Sequence, residues 1–158
     1  MTIRSIEYLQ SLVRELIKLP SETEWVEFKC NNKDPQMIGE YISAISNAAA
    51  LWEKPKGYLV WGIDNETHDI AETTFDYRNM KKGNEELELW LSRLLSPRIN
   101  FKFYEIPFDT GRVVLLEIPC AEKQPTVFSG AEYIRIGSNK KKLKDSIKSG
   151  TVVKLDSP

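Results

Sequence analysis

Cysteine is nearly absent. Cys30 and Cys120 are the only two in the chain, too few for a disulfide scaffold or a self-contained zinc site. Histidine is scarcer still: His68 stands alone, nothing around it suggests a catalytic triad, and it reads as a turn or surface residue. The eight glycines never fall into G-x-x-x-x-G-K-[ST], which excludes a P-loop and an ATP site. No apolar run approaches the roughly 18 residues of a membrane span. The N-terminal MTIRSIEYLQ also lacks the basic-then-apolar order of a secretory signal. The expectation is a cytoplasmic, reduced protein with no membrane partner. What is present, 158 residues with 41% apolar and 28% charged side chains, suits one folded domain with a proper core.

Net charge is also almost missing, at −1, but the balance is uneven. Residues 1–122 carry 14 Lys and Arg against 20 Asp and Glu, whereas residues 123–158 carry eight against three. The last 36 residues are thus basic, and binding responds to local potential and not to the sum. The same lysines also fit a solvated tail.

Apolar spacing predicts the elements. Ile6, Leu9, Leu12, Val13, Leu16 and Ile17 recur at three and four residues, an amphipathic helix ended by Pro20. Residues 24–30 alternate as a strand does. Pro35 opens a second helix, whose small residues Ser43, Ala44, Ser46, Ala48, Ala49 and Ala50 let it sit close to a sheet. Residues 58–63 form a nearly continuous apolar run, as in a central strand covered on both faces. Asn84-Glu85-Glu86 reads as the capped start of a third helix closing near Pro97. Further strands are expected at 100–106, 112–118 and 132–136, with Asp109-Thr110-Gly111 as a hairpin turn. The order implies a single α+β domain, a mixed β-sheet packed against about three helices.

Candidate chemistry starts on the first strand. Alternation places Trp25, Glu27 and Lys29 on one face and Val26, Phe28 and Cys30 on the other. The apolar set belongs to the core, with Cys30 and Cys120 as packing residues. The other face turns two opposite charges and an aromatic ring towards something polar, with Glu22 at the strand's mouth. A carboxylate and a lysine two apart fit a metal-dependent nuclease, in which the acid holds a divalent ion and the lysine offsets phosphate charge. They also fit a weak exposed ion pair, and an E-x-K match is common by chance. Asp64, at the end of the apolar strand, is either a ligand-contacting acid or a turn aspartate bonding its own backbone. Convergence of Glu22, Glu27 and Asp64 would select magnesium or manganese. Trp25 could stack on a base. In the basic segment, Tyr133 and Arg135 share a strand face ahead of Lys140, Lys141 and Lys142, a pattern suited to phosphate contacts.

Five segments in order, ETEWVEFK (22–29), IGEYISAISNA (38–48), GYLVWGIDN (57–65), Pro125-Thr126 and YIRIGS (133–138), resemble the Schlafen AlbA-type DNA-binding domain, once described as a divergent AAA domain. The resemblance divides the chain into an N-terminal helix (1–19), a nucleic-acid-binding domain (20–142) and a basic extension (143–158). It implies a DNA- or RNA-binding module of bacterial transcriptional regulators or helicase-like proteins, where further C-terminal domains commonly follow. No cofactor is expected for binding alone. Some animal Schlafen proteins carry a three-carboxylate endoribonuclease site in such a domain. Its acids correspond to Glu22, Glu27 and Asp64, with Lys29 as electrostatic helper and magnesium or manganese as the ion. Those nucleases clamp their substrate between two lobes, so one lobe here would act as a homodimer.

Overall fold

In the computed structural model, residues 4–21, 23–137 and 139–142 are described. Glu22 and the basic extension 143–158 lie outside them. Helix α1 (Ile6–Leu16) starts where the Ser5 side chain accepts from the Tyr8 amide at 3.1 Å, capping an otherwise orphan donor. It buries Leu9, Val13 and Leu16. Strand β1 (Val26–Lys29) follows, then helix α2 (Pro35–Leu51) and strand β2 (Lys56–Trp61). Asp34 caps α2 by accepting from the Met37 amide at 3.1 Å, and Pro35 occupies the first turn.

The short strands β3 (Lys81–Lys82) and β4 (Glu85–Glu86) precede α3 (Leu87–Leu94). The expected cap at Asn84 is therefore corrected: Glu85 and Glu86 pair with the lysines as a strand, and Glu86 begins the helix without a side-chain cap bond. Six strands complete the described chain: β5 (Leu95–Ser96), β6 (Lys102–Phe108), β7 (Gly111–Pro119), β8 (Val127–Phe128), β9 (Ala131–Ile136) and β10 (Asn139–Lys142).

The class is α+β, but the strands divide between two four-stranded sheets and the two-stranded β3–β4 ribbon. The first has the order β1-β2-β7-β6 and is mixed, since β1 and β2 run parallel across α2 while the other pairs are antiparallel. The second, β10-β9-β8-β5, is antiparallel throughout. Alternation on the first sheet sends Val26, Phe28, Val60, Val113 and Leu115 to a core with α1. It sends Leu59, Trp61, Val114, Leu116 and Ile118 to a core with α2 and α3. The run through 58–63 is apolar because both of its faces are covered.

Helix α2 lies between the two sheets. Its bulky side, Ile38, Ile42 and Ile45, joins the core beneath the first sheet. Its small side meets the second. A Cβ on Gly39 would stand 2.1 Å from the Phe128 ring, so only glycine allows that approach. The Ser43 hydroxyl donates to the Thr126 carbonyl at 2.7 Å, and the Asn47 amide donates to the Tyr133 carbonyl at 2.7 Å. These bonds satisfy buried backbone groups of the second sheet. Among the described residues, no helix is long and apolar enough to cross a membrane.

Candidate functional site

Strand β1 has β2 on one side only and so forms an edge of its sheet. Val26 and Phe28 point to the α1 core, which turns Glu27 towards α2 and β9. There the Glu27 Oε1 atom accepts from an Arg135 Nη at 2.8 Å, and Oε2 accepts from the Tyr41 hydroxyl at 3.0 Å. The Lys29 ammonium stands 3.3 Å from Oε2. Arg135 is 1% exposed and also donates to the Thr23 carbonyl, while its Nε has no partner among the described residues. One carboxylate thus faces two cations and a phenol, and the hydrogen bonds offset the cost of burying the ions. Burial first, and then the Glu27 charge and hydrogen bond, push the Tyr41 hydroxyl well above the usual phenol range.

The Tyr41 ring carries two ammonium groups, Lys29 at 5.0 Å and Lys140 at 4.7 Å from its centroid. Lys140 pairs in turn with Glu40 on α2. Burial alone would raise the Glu40 carboxyl. Hydrogen bonds from Lys140 and Gln36 and the Lys140 charge outweigh it and hold the group below the usual carboxylate range. Beside this cluster lies a cavity of about 420 Å³ lined by Thr23, Glu27, Lys29, Tyr41, Glu66 and His68, among others. The His68 Nδ1 meets the Ile17 carbonyl at 2.9 Å and its ring packs on Phe28, a half-buried turn position.

Several expected positions are corrected. Tyr133 and Arg135 do not form an open surface: both are buried, because α2 and β1 supply their polar partners. The Tyr133 hydroxyl reaches Glu40 at 3.4 Å. Trp25 precedes β1 instead of extending its polar face. Its ring sits 5.8 Å from that of Trp52, with the Lys54 ammonium 4.9 Å away. Asp64 is absent from the cavity lining. Its Oδ1 accepts from the Glu66 and Thr67 amides at 2.8 and 2.9 Å, so the turn uses it. Those backbone bonds hold its carboxyl below the usual range. Cys30 is exposed instead of packed. Lys141 and Lys142 are exposed on β10, and Lys140 is half-buried.

Glu22 lies outside the described residues, so of the acidic trio only Glu27 and Asp64 are described. Among the described residues, no group of three or more His, Cys, Asp or Glu is placed to hold a metal ion. Sequence reasoning missed Tyr41 and Glu40, whose helical spacing reads only as core and surface. It also missed Glu66, two residues beyond the acid it chose.

The family model described as Schlafen, AlbA_2 matches residues 22–144. No curated protein matches the chain. Among solved structures, the DIP2311 protein from Corynebacterium diphtheriae is similar at 15% identity and a TM-score of 0.49. That match covers 87% of this chain and only 26% of the other. The N-terminal domain of a RecG-related protein from Nitrosomonas europaea is similar at 21% identity and a TM-score of 0.45, with 87% of this chain and 92% of that domain covered.

Proposed function

This chain belongs to the Schlafen AlbA_2 family, and from that premise we propose that it is a nucleic-acid-binding domain, largely indifferent to sequence, of a regulatory or helicase-like protein. The observation that carries the reading is the lysine edge. Strand β10 is the outer strand of its sheet and presents Lys141 and Lys142 to solvent, with Lys140 and Lys29 a short way inward over Tyr41. Ammonium groups exposed along an outer strand can neutralise phosphates and release their counterions. Such contacts give affinity without reading bases. The Glu27 cluster is compatible with the same reading, since Lys29 and Arg135 together offset its carboxylate.

The test is binding to duplex DNA and to structured RNA at two salt concentrations. Lys141→Glu with Lys142→Glu is expected to weaken binding across all sequences and to flatten the salt dependence by about two logarithmic units of slope. A folded wild-type protein that binds neither polymer at low salt rules the reading out.

A divalent-metal nuclease is the alternative. It needs Glu22 together with Glu27 and Asp64, yet both Glu27 oxygens already accept hydrogen bonds and Asp64 is held by its turn. The described residues do not fit an ion, and no catalytic step follows from them. Cleavage of tRNA or DNA with manganese by the wild type, lost in a Glu27→Gln protein shown to be folded by circular dichroism, would reinstate the nuclease.

A further inference from the structure

Trp52 is 53% exposed at the end of α2, a helix otherwise buried along most of its length. Single exposed apolar residues are ordinary, so exposure alone decides nothing. Three further observations set this ring apart.

First, it is fixed. Its Nε1–H donates to Glu24 Oε1 at 2.7 Å, and it leans on Trp25 at 5.8 Å between centroids. An aromatic ring held in place loses little freedom when something stacks on it. Second, Lys54 is exposed and holds its ammonium 4.9 Å from the Trp25 ring, so a cation accompanies the aromatic pair. Third, the other oxygen of Glu24 accepts from the Gly137 amide, in the turn that leads from β9 into the lysines of β10. One carboxylate therefore ties the indole to the turn of the lysine hairpin.

We infer that Trp52, backed by Trp25 and flanked by Lys54, is a stacking platform for an unpaired nucleobase whose phosphates follow the β10 lysines. The inference rests on the nucleic-acid reading above and adds its substrate class. A closed duplex hides its base faces in its own stack, whereas a single strand or an unpaired end offers them to an aromatic ring. Every base has such a face, so the platform adds strand selectivity without sequence preference.

The experiment uses the full chain, an oligothymidylate of about ten nucleotides and the blunt duplex of the same length, at low salt. Binding of the single strand is expected to quench tryptophan emission, since Trp61 and Trp90 are buried and only the Trp25–Trp52 pair is in reach. Trp52→Ala is expected to lose about tenfold in affinity for the single strand while its duplex binding stays level. Trp52→Phe keeps a stacking ring without the Glu24 bond and is expected to retain most of the affinity, which separates stacking from local structure. Equal single-strand binding by Trp52→Ala and wild type, or a wild type that grips the duplex as tightly, overturns the inference and leaves the lysine edge standing. If the wild type binds neither probe, the nucleic-acid reading itself fails. If oligothymidylate affinity falls only in the Lys141→Glu, Lys142→Glu protein, the Trp platform is discarded and the phosphate contacts kept.

Discussion

At the residue scale the decisive contact is Glu27 with Arg135, 108 positions apart and 2.8 Å at closest approach. Removing one partner of a buried ion pair leaves the other charged and unsolvated. Glu27→Ala is expected to cost about 3–5 kcal/mol of stability, and Glu27→Leu combined with Arg135→Met to restore most of it. Urea unfolding of the three proteins measures both. Alternation in 24–30 was enough to turn Glu27 towards polar company, because strand geometry is local. The identity of that company was not legible, since nothing near Glu27 in sequence announces Arg135. Arg135 looked like a phosphate contact for the same reason. A basic residue on a strand reads alike whether water or a carboxylate faces it. Asp64 shows the opposite case, where the local Asx-turn explanation was complete in itself.

At the scale of elements, the β9–β10 hairpin is pinned to α2 through Lys140 and Glu40. The Glu40 carboxyl is held below its ordinary 4.5. Its ionised form is thus favoured in the folded protein, and the stabilisation is present above the unfolded value and lost as pH falls through the lower folded one. Acid should therefore loosen the hairpin, and Glu40→Gln should remove that part of the pH dependence while lowering stability near neutrality. Thermal melts of both proteins between neutral pH and about pH 3 check the sign. The long elements were readable because their periodicity is strong: α1, α2, β2 and β7 stand close to where apolar spacing put them. Strands of two residues, such as β3, β4, β5 and β8, have no period to read. The second sheet therefore stayed hidden inside the expectation of one.

At the scale of the molecule, the uneven charge that the sequence displays places Lys140, Lys141 and Lys142 at one sheet edge, and the proposed function depends on that placement. The stripe of small residues on α2 was legible as close packing against a sheet. That the helix would be gripped from two sides was not, since the partners come from both halves of the chain. The consequence concerns how the molecule comes apart. With α2 as a shared wall, neither sheet can shed its neighbour without opening its own floor to water, so partial melting is penalised twice. Trp61 on the first sheet and Trp90, 5.7 Å from the Phe128 ring of the second, share the core that joins the sheets through α2. Their fluorescence and the backbone circular dichroism should share one unfolding midpoint. Two separated midpoints would mean that the helix divides the protein into independent halves instead of locking them into one cooperative unit.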